Sequence, residues 1–125
     1  MILDSSALIA SLNPNDSHFS EVWEKMSASN SIQIHEVSLA ESLVRAHTSN
    51  TVEQVMHVFK GIGATLVSSA GLQGALRVAE IRSKTGLPLP DCYVIDAGRE
   101  TDEKILSFDS KLNRSAKTLG LATIN

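Results

Sequence analysis

Short apolar runs alternate along this chain with longer stretches in which apolar residues recur every three or four positions. Runs without polar alternation are typical of strands covered on both faces, and a spacing of three or four predicts amphipathic helices. Strands that alternate with helices favour right-handed βαβ crossovers and a parallel sheet with helices on both faces. The pattern therefore predicts an α/β fold, with strands at residues 1–3, 32–35, 64–67, 105–108 and 121–124.

Local signals predict where several helices begin and end. Two capping boxes, at residues 38–41 and 51–54, are expected to open two helices. Gly86 is expected to end a longer helix. Residues 19–26 carry one apolar stripe of a further helix, and His18 in its first turn is expected to face solvent. The remaining helices are predicted at residues 6–12, from residue 91 and after residue 109.

Length and composition predict one globular domain over residues 1–125. Apolar residues make up 42% of the chain and charged residues 20%, which argues against disorder. The single cysteine, Cys92, excludes an internal disulfide and fits a reducing cytoplasm. No targeting segment or membrane-spanning apolar run is visible, so we expect a cytoplasmic protein. Aromatic residues are only 4%, which argues against recognition of bases by stacking platforms.

Two of the predicted strands are followed directly by an acidic residue. Asp4 follows the first strand and Asp109 follows the fourth. Because ligands bind beyond the carboxyl ends of the strands in open parallel sheets, both side chains are expected at that edge. Capping of the next helix is the stronger interpretation of Asp4 when it is considered alone. The recurrence of an acid at a second strand end favours a functional site over capping alone.

Asp91 and Glu41 are two further candidates. Asp91 follows two prolines and lies on the apolar face of its helix, where a carboxylate is costly to bury unless it is paired, capped or bound to metal. Capping stays open as its role. Glu41 lies away from the apolar stripe of its helix, so that capping, or an i,i+4 ion pair with Arg45, also accounts for it. Asp96 is assigned to solvent.

Four acids gathered at one edge would repel one another unless a cation lay among them. With oxygen ligands and no cluster of His or Cys, the expected ion is Mg²⁺, and Mn²⁺ is the alternative. Such ions neutralise phosphate oxygens and activate a bound water for attack on phosphorus. The net charge of −3 disfavours a polyanionic substrate, but setting four acids aside as ligands leaves a slightly basic remainder. The residues alone therefore predict a Mg²⁺ phosphoester site.

Four stretches carry a family resemblance and together span nearly the whole chain. They are Met1-Ile-Leu-Asp-Ser-Ser-Ala-Leu-Ile9, Ser38-Leu-Ala-Glu-Ser-Leu43, Leu89-Pro-Asp-Cys-Tyr-Val-Ile95 and Ile105-Leu-Ser-Phe-Asp109. In this order they resemble the motifs of PIN domains and, within that superfamily, of the VapC-type ribonuclease toxins of prokaryotic toxin–antitoxin modules. Each motif is weak alone, but the order and spacing make the combination fairly specific.

The resemblance implies a three-layer α/β/α sandwich around a parallel sheet of about five strands. It also implies a site. Catalytic and metal-binding roles fall on Asp4, Glu41, Asp91 and Asp109. Ser6 and Ser107 match positions that orient a carboxylate or water, and Lys111 and Arg114 are candidates for contacts with RNA phosphates.

The implied activity is that of a Mg²⁺-dependent endoribonuclease, the toxin of a type II toxin–antitoxin pair. A metal-activated water would hydrolyse the RNA phosphodiester and leave a 5′-phosphate and a 3′-hydroxyl. Members of the family are usually neutralised by a small antitoxin protein and commonly form homodimers, so both partners are expected here.

The chain departs from the family pattern after Asp109. Many relatives carry another Asp followed by Phe where this chain has Lys111 and Leu112. This position therefore offers no fifth acidic ligand. The alternative is therefore a catalytically weakened domain that binds RNA or protein. A third interpretation, an aspartyl-phosphate mechanism at Asp4, fits poorly because such domains resemble Asp-x-Asp and this chain has Ser6.

Overall fold

The fold, seen in a computed structural model that describes residues 1–124, alternates short strands with helices. The strands are β1 (Ile2–Leu3), β2 (Gln33–His35), β3 (Thr65–Val67) and β4 (Ile105–Leu106). The helices are α1 (Ser5–Ala10), α2 (Phe19–Ser27), α3 (Glu36–Ser49), α4 (Val52–Gly61), α5 (Gly71–Thr85), α6 (Leu89–Thr101) and α7 (Ser110–Thr118). None of the helices in this part of the chain combines the length and apolar character that a membrane crossing needs.

The sheet is parallel, with strand order β3-β2-β1-β4. The first strand therefore lies in the middle, between β2 and β4. The predicted fifth strand is reduced to an isolated bridge between Ile105 and Thr123. Its backbone hydrogen bonds with β4 all involve a single residue, Ile105. The α/β prediction is confirmed, with four strands in place of about five.

The two faces of the sheet bury alternate residues of each strand, as the period of a strand requires. Leu3 belongs to a core cluster with residues of α1, α2, α3 and α4, whereas its neighbour Ile2 packs with residues of α6 and α7. Gly98 of α6 makes this second layer tight, because a Cβ there would lie 2.9 Å from Leu121 Cδ2 and 3.0 Å from Ile105 Cδ1. The result is the three-layer sandwich that the resemblance implied.

The capping predictions are corrected at several helices. The third helix begins at Glu36, and its cap is His35, whose Nδ1 accepts from the Val37 amide at 3.0 Å. Ser38 therefore lies buried inside the helix, and the capping box at residues 38–41 is wrong. Thr51 precedes α4, but its side chain makes no capping hydrogen bond.

The end of α5 agrees with the sequence. Gly86 terminates this helix in the left-handed conformation, with φ of 71°, as predicted. A capping carboxylate likewise starts α1 and α7, at Asp4 and Asp109, so both acids do cap helices as well as follow strands.

Candidate active site: four carboxylates at one edge of the sheet

Asp4 is held in place at the carboxyl end of β1 and is only 4% exposed. Its Oδ1 accepts from the Ala7 amide at 2.9 Å and from Ser6 Oγ at 2.6 Å, while its Oδ2 accepts from Ser107 Oγ. Burial raises the pKa of Asp4; the hydrogen bonds lower it, and the charge of Asp109 raises it further. With both oxygens engaged, the carboxylate is poorly placed to act as a nucleophile.

The strand predicted at residues 105–108 ends at Leu106, so Asp109 lies three residues beyond β4, and hydrogen bonds join this segment to the tip of β1. Asp109 Oδ1 accepts from the amides of Lys111 and Leu112, at 2.9 and 3.2 Å. Its own amide donates to Ser107 Oγ at 3.0 Å. Because that hydroxyl also donates to Asp4, Ser107 couples the positions of the two acids.

Ser6 makes a second link between the same tips. Its Oγ donates to Asp4 and accepts from the Phe108 amide at 3.0 Å. The structure therefore places both predicted orienting residues, Ser6 and Ser107, against the acids.

Glu41 approaches the strand tips from the second turn of α3. Burial raises the pKa of this carboxyl, a hydrogen bond from Ser5 lowers it, and the charge of Asp4 raises it. Within residues 1–124 Glu41 forms no ion pair with Arg45. Neither explanation offered from the sequence, capping or the i,i+4 pair, therefore describes Glu41 in the structure.

Asp91 lies in the first turn of α6, and Pro88 occupies the capping position. Among the described residues its carboxylate has no hydrogen-bond partner, so that capping is not its role. Burial, and after it the charges of Asp109, Asp4 and Glu41, together raise the pKa of Asp91 to about 6. The structure thus brings all four predicted acids close enough to repel one another.

The fit of this edge to a metal ion rests on the chemistry of its donors. As they stand, no three Asp, Glu, His or Cys side chains in residues 1–124 form a ready-made metal cluster. The four carboxylates nevertheless supply an all-oxygen donor set, and their mutual repulsion is the kind that a hard divalent cation relieves. The residues therefore suit Mg²⁺ or Mn²⁺, provided that the carboxylates draw together around the ion.

The predicted phosphate contacts lie on α7, directly after Asp109. Lys111 and Arg114 are exposed, and neither forms an ion pair within the part of the chain that the structure describes. Both cations are therefore available to an external anion.

Asp96 was assigned to solvent, and the structure shows this to be wrong. The residue is 1% exposed, and its carboxylate accepts from Arg77 Nε at 2.8 Å and from Ser69 Oγ at 2.6 Å. Although burial raises the pKa of Asp96, the hydrogen bonds from Arg77 and Ser69 outweigh burial and hold that pKa below its ordinary value. Ser69 Oγ also lies 3.0 Å from His35 Nε2 at the end of β2.

The cause of this error is that α6 is buried on two faces. One face packs on the sheet through Val94 and Ala97, and another packs on α5, where Ile95 meets Val78 and Ile81. A helical wheel with a single apolar face cannot show the second contact. The only local sign that Asp96 is buried was that the residues on both sides of it are apolar or small.

His18 was expected to face solvent, and its side chain is partly exposed, but it also has an aromatic neighbour. Its side chain is 46% exposed, yet its ring stacks on Phe108 with centroids 3.9 Å apart and planes within 8°. Phe108 lies between Ser107 and Asp109, so the stack adjoins the acidic edge.

Comparisons with known proteins support the fold and leave the chemistry open. No family model matches the sequence, and no curated protein matches it significantly. Solved structures do. A toxin–antitoxin complex from Klebsiella pneumoniae aligns with a TM-score of 0.74 at 15% identity, over 88% of this chain and 87% of that chain. VapBC2 from Rickettsia felis, bound to a DNA fragment from its promoter, aligns with a TM-score of 0.75 at 15% identity, over 99% and 96%.

A third solved structure is that of a toxin described as cleaving the sarcin-ricin loop. This protein, VapC20 from Mycobacterium tuberculosis, aligns with a TM-score of 0.70 at 11% identity, over 91% of this chain and 93% of that chain.

Proposed function

The chain has the PIN-like fold of VapC-type toxins, and we propose that it is a metal-dependent endoribonuclease, the toxin of a type II toxin–antitoxin pair. The observation that carries this proposal is the convergence of Asp4, Glu41, Asp91 and Asp109 at one edge of the sheet, where none of the four forms an ion pair within residues 1–124. Carboxylates that repel one another and have raised pKa values are typical of functional sites.

Asp4, Glu41, Asp91 and Asp109 are the residues that would hold Mg²⁺, with Mn²⁺ as the alternative. Such an ion, when bound, supplies neutralisation of phosphodiester oxygens and a more acidic water. Ser107 and Ser6 fix the Asp4 carboxylate by hydrogen bonds to its two oxygens, so that its orientation is set before any substrate arrives.

The substrate of the proposed reaction is RNA, cut to leave a 5′-phosphate and a 3′-hydroxyl. Lys111 and Arg114 would contact phosphates beside Asp109, because α7 begins directly after that residue and both side chains are exposed. One of the similar structures is described as a toxin that cleaves RNA at the sarcin-ricin loop, which supports RNA as the polymer and leaves the sequence cut by this chain to experiment.

Two protein partners belong to the proposal. A cognate antitoxin is expected because several structures with this fold were solved as toxin–antitoxin complexes. A homodimer is expected from the family resemblance. Copurification with the product of a neighbouring small gene, followed by light scattering of the chain with and without that product, would test both partners.

The test of the nuclease compares wild type with Asp91→Asn on a pool of structured RNAs, with Mg²⁺ or with EDTA, and maps the new 5′ ends. We expect cuts that need both Mg²⁺ and Asp91. Glu53→Gln removes an exposed acid on α4 and serves as the matched control that should cut like wild type. Cleavage that survives in EDTA or in Asp91→Asn would contradict the proposal.

The second candidate is a catalytically weakened domain that binds RNA or protein. It is favoured by the lack of a ready-made metal cluster within residues 1–124 and by Lys111 in place of a further acid. If wild type and Asp91→Asn bind RNA equally and neither cuts it, this alternative replaces the nuclease.

A further inference from the structure

The rings of His18 and Phe108 stack on each other, and hydrogen bonds hold His18 in a defined position. Their rings are parallel within 8° at a centroid distance of 3.9 Å. The His18 amide donates to Asp16 Oδ1 at 2.8 Å, and its Nδ1 lies 3.4 Å from Glu21 Oε2. The backbone and one ring nitrogen of His18 are thus held, and the ring is presented in a defined orientation.

Phe108 connects this stack to the four acids. It stands between Ser107, which donates to Asp4, and Asp109. Its amide donates to Ser6 Oγ, which donates to Asp4. The ring on which His18 rests therefore belongs to the same hydrogen-bonded segment that positions two of the acids.

The exposure of the pair argues against packing as its only role. One face of the imidazole is covered by Phe108, yet 46% of the His18 side chain remains exposed. A ring that only filled a gap would be buried, since burial is the source of its stabilisation. Nearly half of the His18 side chain is therefore accessible to a partner from outside the chain.

We propose that His18, supported by Phe108, is a stacking platform for the base of a nucleotide next to the phosphodiester that is cut. The inference rests on the proposed nuclease function and adds to it the position at which a base is held. Histidine and phenylalanine rings are among those on which unpaired RNA bases stack, and such stacking tolerates any base because each has a π-face.

The platform favours RNA in which one nucleotide next to the cut is unpaired. A base locked in a duplex has both faces occupied by its neighbours, so that it could reach His18 only by leaving the helix. Loops and single strands offer such a base without that cost. The low aromatic content argues against a platform of several aromatic rings, whereas this proposal needs only the ring of His18 supported by Phe108.

The test uses the full chain carrying Asp91→Asn, so that RNA is bound without being cut. Single-stranded oligonucleotides with 2-aminopurine at successive positions report stacking as quenched fluorescence, in EDTA as well as in Mg²⁺. We expect quenching at one position, its loss in His18→Ala, and an affinity about tenfold weaker, within the range that one stacked base contributes. His18→Phe keeps a flat ring and should restore both signals.

Two controls separate stacking from folding and from catalysis. His57→Ala removes an exposed histidine of α4 and should leave RNA binding unchanged. Thermal unfolding of His18→Ala and His18→Phe shows whether either variant is misfolded, and an abasic nucleotide at the quenched position should make wild type and His18→Ala equal.

The outcomes distinguish this inference from the proposed function. Equal RNA affinity and equal quenching with and without His18→Ala in the Asp91→Asn chain overturn the platform, even if the wild-type chain cuts RNA normally, and leave the pair as packing or as a contact for a protein. If no RNA is cut but the His18 effects appear as described, the platform stands and the nuclease does not.

Discussion

Helix α6 carries two aspartates, five positions apart, in opposite electrostatic situations. Asp96 is deeply buried, yet an arginine and a serine hold its pKa below the ordinary value. Asp91 is less exposed to hydrogen-bond donors than Asp96, with no partner among the described residues, so that burial and the charges of three nearby acids raise its pKa to about 6. Burial alone therefore does not decide how a carboxylate behaves; its neighbours do.

The difference separates a structural acid from a candidate functional acid. Asp96 with Arg77 ties α6 to α5, and through Ser69 and His35 it reaches the ends of β3 and β2. That network fixes the helix whose first turn presents Asp91. Asp96 stabilises the fold, and the fold in turn holds Asp91 where its charge is repelled by other acids.

The largest expected effect follows removal of the structural acid. Asp96→Ala should lower the free energy of unfolding by about 3 kcal/mol, the lower end for breaking a buried ion pair, because Arg77 is partly exposed and can be rehydrated. Urea denaturation measures this loss. Glu100→Ala removes the exposed acid that also pairs with Arg77 at 3.2 Å, and it should cost under about 1 kcal/mol. Equal losses in the two variants would contradict the comparison.

Removal of the unpaired acid, Asp91, should lower activity and raise stability. We expect Asp91→Asn to lower RNA cleavage at least about 100-fold, since even residues that only orient metal ligands contribute about 10–100-fold. In metal-free buffer at pH 7 the same variant should be more stable than wild type, by about 1 kcal/mol, because repulsion at a partly exposed site is screened by water. A destabilised Asp91→Asn would show that Asp91 supports the fold.

An intermediate effect is expected for the serine that holds Asp4 by one of its oxygens. Ser6→Ala should lower cleavage about tenfold, because Asp4 loses one of the hydrogen bonds that set its orientation. Ser6→Thr keeps the hydroxyl and is the matched control. If both variants cut alike, the hydroxyl does not orient Asp4 for the reaction.

The smallest effect is a difference in how the two regions respond to pH. The raised pKa of Asp91 means that the folded chain binds more protons than the unfolded chain between pH 3.8 and about 6, so stability falls as the pH rises through that window. Burial lowers the pKa of His35 from 6.5, against the charges of Glu36 and Asp96, so stability falls as the pH drops below 6.5. The two slopes oppose each other.

Two substitutions in metal-free protein would separate these slopes. Asp91→Asn should reduce the first, to which the raised pKa values of Asp4 and Glu41 also contribute, and His35→Asn, which retains a side-chain oxygen to cap α3, should remove the second. Unfolding free energies from pH 4 to 8 measure both. An unchanged pH profile in either variant would mean that another group is responsible.

The fold was predictable because its signals are local. Apolar runs and helical spacing specify which residues form strands and helices, and a strand such as 1–3 reveals by its lack of polar residues that both its faces are covered. Helix starts were harder to predict. His35 caps α3 through a ring nitrogen, whereas the sequence pointed to Ser38, because serine is the commoner cap.

The candidate site was predictable where it depends on strand ends. Asp4 and Asp109 follow strands, so their convergence comes from the parallel sheet itself. Glu41 came from the family resemblance, since nothing local distinguishes it from a surface acid. Asp96 could not be placed, because its partner Arg77 lies on another helix and their meeting depends on how α5 and α6 pack.

The central position of β1 has a consequence for biosynthesis. Asp4 is translated well before its partner, because the hydroxyl that holds its Oδ2 belongs to Ser107, 103 residues later. At about 5–20 residues per second, the ribosome needs roughly 5 to 20 s to supply it. Until then the middle of the sheet lacks one neighbour and the acids are not assembled. The four acids of a nascent chain therefore cannot converge at this edge of the sheet before β4 and the residues after it have been made.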